Sequence, residues 1–311
     1  MAVEKDVGTD ERLAELDYLD KALATTPLAT DVFFAGEPCG EWRMNTYGRG
    51  DAAFHLVLKG HPWLHLPGQP ALRRQLHAGD LAFFARNASH VLTESPEVPE
   101  RFDTVVGSVM AVGAIEEQTA LICGTLKLEP YTQRVLLAPL PEVVVMASDA
   151  DGVPPIVPAV VSSMWTEVRG TVQPLSMTLN RLADVLIAQV LRYVVTQRLA
   201  TSGIFAALAD GHLRRAMLEM IRSPQQEWTV ESLARRALMS RSAFAARFQT
   251  IVRRTPLEFV REWRMQHAMT LLRAGRSVAD VAVASGYQSE ASFAKAFKRI
   301  VGVGPGAVRS R

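Results

Sequence analysis

Cysteine is almost absent: Cys39 and Cys123 are the only two in 311 residues. Two thiols cannot build a disulfide scaffold, so reduced thiols in a cytoplasmic protein are the expectation. No apolar run approaches the roughly 18 residues a membrane span needs, and no membrane partner is expected. The opening stretch, MAVEKDVGTDERLAEL, lacks an apolar core. It is polar and acidic, which reads as no secretory signal.

What is present is globular. Apolar residues make up 48% and charged residues 21% of the chain, against a disordered composition. The length allows two domains, each with its own core. The net charge of +2 hides an asymmetry. Residues 203–311 hold 18 Lys and Arg against 8 Asp and Glu, while the preceding part holds 16 against 24. A basic C-terminal half implies a polyanionic partner, most often nucleic acid.

From Asp31 to about Thr125 the chain reads as short strands and turns. Phe54, Leu56 and Leu58 alternate with His55, Val57 and Lys59, the pattern of a half-buried strand. Gly60-His61-Pro62, Pro67-Gly68 and Ala78-Gly79-Asp80 interrupt such runs as turns. Trp63–Leu66, Leu81–Phe84, His90–Thr93, Thr104–Val112 and Thr119–Cys123 are further strand candidates. Together they suggest a sandwich or small barrel. Residues 130–160, punctuated by Pro139, Pro141, Pro154, Pro155 and Pro158, read as a connector with short elements. Residues 175–198 form a helical stripe of Leu179, Leu182, Leu186, Val190 and Tyr193. Such a stripe fits either packing on the chain's own sandwich or a dimer seam.

The basic half contains a repeat. TVESLARRALMSRSAFAARFQTIVRRTPLEFVR starts at Thr229 and SVADVAVASGYQSEASFAKAFKRIVGVGPGAVR at Ser277. Leu233 and Ala237 match Val281 and Ser285 at an offset of 48. Phe244, Phe248 and Pro256 match Phe293, Phe297 and Pro305 at an offset of 49, so one residue has entered the second turn. Thr229 and Ser277 are N-cap residues with acids in the first turn. Phe244 and Phe248, four apart, bury one face of the second helix. Each copy is thus predicted to be a helix-turn-helix, over 229–252 and 277–301. Leu257 to Arg273 reads as a connecting helix that fixes their spacing.

The stretches LARRALMSRSAFAARF, WRMQHAMTLL and VASGYQSEASFAKAFKR followed by GVGP resemble the C-terminal DNA-binding domain of the AraC/XylS family of transcription regulators, over about residues 208–309. Gly304 and Val308 depart from the family's more usual Ser and Tyr. The resemblance implies a cytoplasmic regulator of the activator kind, with double-stranded DNA and RNA polymerase as partners. Its two reading helices would lie in adjacent major grooves. The residues expected to face DNA are Arg241, Ser242, Ala245, Ala246 and Gln249 on the first helix. On the second they are Ser289, Glu290, Ala294, Lys295 and Lys298. Arg253, Arg254 and Arg299 are expected at phosphates. Family members often carry a larger polar residue where Ala246 stands. Ala246 offers only an apolar contact, such as a thymine methyl, so base readout by the first helix is expected to be thin.

Residues 10–200 resemble the cupin-like ligand-binding domain of one branch of these regulators, through CGEW at 39–42, FHLVLKG at 54–60, LHAGDLAFFARNASHVL at 76–92 and LICG at 121–124. This implies an α+β chain. A cupin-like β-sandwich or barrel (about 30–125) with a helical part (about 130–200) senses an unknown effector and dimerises, with 175–198 as the homodimer segment. An all-α DNA-binding domain occupies 204–311. Cys39, His55, His90 and Cys123 form a possible tetrahedral zinc set. Alternatively Cys39 and Cys123 form a reversible disulfide, or all four are unrelated buried residues. His61, His65, His77, His212 and His267 read as turn or surface residues.

The HxH-with-Glu pattern of enzymatic cupins is absent, because Val57 stands two positions after His55. A cupin-type metal-dependent enzyme fused to a DNA-binding domain is the alternative reading. A DNA-repair methyl acceptor would need more than two cysteines. No catalytic residue and no organic cofactor is assigned.

Overall fold

The computed structural model describes residues 28–46, 52–67, 73–86, 88–105, 109–110, 118–128, 133–169 and 176–309. It divides into two compact units: Leu28–Leu128 with Leu140–Gln197, and Glu129–Pro139 with Arg198–Arg311.

The first unit is a two-layer β-sandwich covered by helices. Its strands are β1 (Ala29–Pro38), β2 (Arg43–Met44), β3 (Ala52–Lys59), β4 (Trp63–His65), β5 (Arg74–Gln75), β6 (Leu81–Phe84), β7 (Val91–Thr93), β8 (Val109–Met110), β9 (Ala120–Lys127) and β10 (Val143–Met146). One sheet runs β10-β6-β3-β9-β1-β8 and the other β2-β7-β4-β5. The inter-sheet core gathers Trp42, Met44, Ala53, Val57, Leu64, Leu76, Phe84, Leu92, Leu121 and Cys123.

Alternation predicted that β3 would bury one face only. In fact Ala52 to Leu58 are all buried. Helices cover the outer face of that sheet: α1 (Val157–Val168) packs against α2 (Ser176–Thr196), and α2 lies against β1 and β10. A sheet covered on both faces loses its polar alternation. The predicted stripe accordingly packs at home. Leu179, Leu186 and Val190 are fully buried within the unit, and α2 uses Asn180 and Asp184 to cap the edge of β1. Val32 N–H donates to Asn180 Oδ1 at 2.8 Å and Thr30 N–H to Asp184 Oδ1 at 3.0 Å. Such caps occupy backbone groups that an exposed edge strand would leave open. Within the stretch read as a connector, β10 and the start of α1 are regular elements. Pro158 sits in the first turn of α1, where a missing N–H costs nothing.

The second unit is helical: α3 (Gly203–Ala209), α4 (Leu213–Arg222), α5 (Val230–Arg236), α6 (Arg241–Val252), α7 (Pro256–Arg273), α8 (Val278–Ala284), α9 (Glu290–Val301) and α10 (Pro305–Arg309). It also takes in a π-helical turn at Gln133–Leu137. This differs from the predicted boundary, which left that segment with the N-terminal domain. Gly203 accounts for the contact: its φ is +73°, and a Cβ there would lie 2.4 Å from Pro139 Cγ.

Candidate nucleic-acid interface

The two repeated units share one construction. Thr229 Oγ1 accepts from Ser232 N–H at 3.0 Å, and Ser277 Oγ from Asp280 N–H at 3.1 Å. These caps start α5 and α8. The helices that follow, α6 and α9, are capped by Ser240 and Ser289. Phe244 and Phe248 of α6, and Phe293 and Phe297 of α9, are fully buried. The connector α7 serves both. Its Phe259 meets Phe248 with ring centroids 6.0 Å apart, while Met265, Ala268, Met269 and Leu272 enter the core beneath Phe293 and Phe297. At 1.5 Å per residue α7 is roughly 27 Å long. The spacing of the two units is therefore set by a packed helix and not by a flexible loop.

With one face of each reading helix fixed by phenylalanine, the opposite face is determined by helical geometry. On α9, Lys295, Lys298, Arg299 and Glu290 are exposed, and Ala294 is half-buried. On α6, Arg241, Ser242, Ala246 and Gln249 are exposed and Ala245 is half-buried. Ser289 also caps α9 through the backbone of Ser292, which commits its hydroxyl. Arg253 is exposed at the left-handed end of α6, with φ +62°. Arg254 is placed differently from expectation: its Nε forms an ion pair with Glu262 Oε2 at 2.8 Å on α7, which occupies it within the domain. Sequence reasoning missed Thr250, exposed on the outward face one turn beyond Ala246. Its spacing of six from Phe244 is the signal that could have found it. Arg247 has the opposite lesson. Exposed and basic, it is held by Asp210 of the α3–α4 turn at 2.6–3.1 Å.

In the sandwich, three of the four candidate zinc or redox residues meet. His55 of β3 and Cys123 of β9 are register partners in one sheet. His90 enters from the other sheet, just before β7. All three are fully buried. His55 Nδ1 lies 2.9 Å from Cys123 Sγ, and His55 Nε2 lies 2.8 Å from His90 Nε2. Thr46 Oγ1 is 2.9 Å from the same His90 nitrogen, and His90 Nδ1 is 2.6 Å from the Ala88 carbonyl. Phe84 stacks on His90 at 3.5 Å between centroids. Burial pushes His55 well below the ordinary histidine value, helped by His90. Burial takes His90 down to about 4, against the hydrogen bond to Ala88 that pulls it up. Both imidazoles are neutral at pH 7.

This geometry does not fit a tetrahedral zinc ion. Cys123 and His90 sit at opposite nitrogens of the His55 ring, so the donors do not converge on one point. Among the described residues no His, Cys, Asp or Glu group of three or more is arranged to hold a metal. Cys39 stands apart. Cys123 pairs with Phe34, five residues earlier on β1, which places Cys39 roughly 16 Å along the strand. That exceeds the reach of a disulfide without backbone movement.

Of the histidines read as turn or surface residues, His65 is buried in β4 with Nε2 2.8 Å from Thr93 Oγ1, and His267 is half-buried in α7.

Comparison with known proteins agrees with both halves. A cupin family matches residues 17–196 and a helix-turn-helix domain family matches residues 233–311. An HTH-type transcriptional regulator of Haemophilus influenzae is 29% identical over 94% of this chain and 98% of its own. A putative AraC-like transcription regulator of Streptomyces lividans is 31% identical over 87% of this chain and 90% of its own. The DNA-binding domain of AdpA, solved with a target DNA, is 31% identical over 32% of this chain and 90% of that one, at a TM-score of 0.31. All three are described as transcription regulators or a part of one.

Proposed function

Because the chain belongs to the AraC-like family of helix-turn-helix transcription regulators, we propose that it reads a signal in its cupin domain and reports it through two unequal DNA-reading helices. The observation that carries the inequality is the outward face of α9. Lys295, Lys298 and Arg299 are all exposed there, and these are groups suited to phosphate and guanine. The three matching positions of α6, Ala246, Gln249 and Thr250, carry no cation; the cations of α6 that face DNA on this reading stand at its two ends, Arg241 and Arg253. On this reading α9 supplies most of the affinity. The first helix, α6, contributes contacts from Arg241 and Gln249, apolar contacts from Ala245 and Ala246, and the phosphate contact of Arg253. Ser289, Glu290 and Ala294 complete the second site.

The same reading places the protein in the cytoplasm as a homodimer that works with RNA polymerase. Leu179, Leu186 and Val190 are spent on the chain's own sandwich, so a dimer through 175–198 would use the outer face of α2. That face carries Met177, 68% exposed, and Val185, 37% exposed. The signal would be a small molecule or a thiol-reactive species.

Footprinting of the full chain on regions upstream of candidate genes, across a salt series, tests the DNA reading. A protected site whose affinity falls steeply with salt is expected. Lack of any footprint at low salt would overturn it.

A further inference from the structure

We propose that Cys123 is a peroxide-reactive thiol whose base is His55 and whose base is in turn oriented by His90. This deepens the reading of the cupin domain as the signal-receiving part and rests on it.

The Ala88 oxygen can only accept, so His90 Nδ1, 2.6 Å away, carries a hydrogen. His90 is neutral, and its Nε2 is therefore an acceptor. His55 Nε2 lies 2.8 Å from that atom and must donate to it, since two lone pairs would repel at this distance. Neutral His55 then has a bare Nδ1, aimed at Cys123 Sγ at 2.9 Å. The thiol hydrogen is directed onto that nitrogen. Nucleophile, base and orienting group stand in hydrogen-bonded sequence, the arrangement that activates thiols elsewhere. The chain also crosses the sandwich, since His55 and Cys123 belong to one sheet while His90 and Thr46 flank strands of the other.

The reaction balances without a further reagent. The Cys123 proton passes to His55 Nδ1, and the thiolate sulfur attacks one oxygen of a hydroperoxide. The S–O bond forms as the O–O bond breaks. The departing alkoxide or hydroxide takes the proton from His55 and leaves as alcohol or water. Sulfur loses two electrons and the peroxide gains them, giving a sulfenic acid. Full burial of Cys123 favours the smallest member of the class, hydrogen peroxide, admitted by local opening of the sandwich. Cys39 is too distant to resolve the product as a disulfide within one chain. The added oxygen remains in a close-packed core, which must shift to hold it.

Cys39 provides the control, because it is the more exposed of the two thiols. The full chain would be treated with one equivalent of hydrogen peroxide and dimedone, and the adducts located by peptide mass. Labelling of Cys123 at least tenfold faster than Cys39 is expected. Labelling ordered by exposure, with Cys39 first, overturns the assignment. Stoichiometric zinc that blocks Cys123 in the purified protein overturns it as well. His55→Gln should slow Cys123 at least tenfold and leave Cys39 unchanged; equal loss at both residues would overturn the role of His55. Operator binding is measured on the same samples. Cys123 oxidised with binding unaltered supports the thiol chemistry and overturns only its role as the signal.

Discussion

Arg247 of α6 and Asp210 of the α3–α4 turn are joined by a two-pronged ion pair. Arg247 Nε lies 3.0 and 3.1 Å from the two carboxylate oxygens, and Nη2 lies 2.6 Å from Oδ2. Asp210 also accepts from the backbone N–H of His212 and Leu213, at 3.1 and 3.0 Å. One carboxylate therefore starts α4 and holds the first reading helix. Burial would raise its pKa, yet the hydrogen bonds from Arg247, Leu213 and His212 outweigh burial and hold it below the ordinary aspartate value. A depressed carboxyl stabilises the fold above its unfolded pKa of about 3.9. That stability is lost as pH falls through the lower folded value. Asp210→Ala should cost about 1–2 kcal/mol, since a cap and a charged pair disappear together. Thermal unfolding of wild type and variant at pH 7 and below pH 4 checks this: the difference should be present at the first pH and shrink in acid.

The charge difference between α6 and α9 is measurable as a salt slope. Each phosphate contact releases counterions, so its removal reduces the slope of log affinity against log salt by about 1. Lys295→Ala and Lys298→Ala should each weaken binding and flatten that slope. Ser242→Ala on α6 should leave it unchanged. Equal slopes for all three variants would mean that α9 does not carry the electrostatic contact.

The repeat was the legible part of this chain because each copy writes its own constraints locally. Cap residue, buried pair of phenylalanines and helix-starting proline lie within a few dozen residues, and all appear where their spacing put them. The sandwich was less legible because its constraints are nonlocal. Nothing near β3 announces that α1 and α2, about a hundred residues later, cover its second face. The meeting of His55, His90 and Cys123 was visible only as candidate residue types on separate strands. The structure supplies what composition cannot, namely that His55 stands between the other two and that Cys39 belongs elsewhere. Arg254 and Arg247 show the same limit on the surface. Their partners, Glu262 and Asp210, were found by the fold and not by spacing.

The outer face of α2 offers a separate test of self-association. Met177 and Val185 are exposed apolar residues eight apart, on the side turned away from the buried stripe. If that face is the seam, Val185→Glu should convert a dimer to a monomer while the unfolding temperature of the sandwich stays close to wild type, since no core contact is removed. Sedimentation equilibrium of both forms reads the outcome. Loss of folding together with loss of association would instead place Val185 in the core, contrary to its exposure.

The turns of the two helix-turn-helix units pose the same backbone problem and answer it with different residues. Leu238 and Gly286 occupy equivalent places, 48 apart, with φ of +55° and +77°. In the first turn Met239 N–H donates to Ala234 O at 3.0 Å; in the second Tyr287 N–H donates to Ala282 O at 3.0 Å. The hydrogen-bonded end of the first helix is thus identical in both copies. The additional residue of the second copy enters just after it, between Tyr287 and Ser289. Left-handed backbone costs a side chain of leucine's kind on the order of 1 kcal/mol, and Leu238 recovers little by packing, being 76% exposed. Leu238→Gly should therefore stabilise the domain by about 0.5–1 kcal/mol, or at least cost nothing. Gly286→Ala should do the reverse by about 1 kcal/mol or more, because the new Cβ meets both the positive φ and the Gln225 carbonyl at 3.1 Å. Denaturant unfolding of the two variants gives opposite signs if the turns are as alike as their hydrogen bonds. A loss of stability in Leu238→Gly comparable to that in Gly286→Ala would show that the exposed leucine holds a contact that the backbone geometry does not account for.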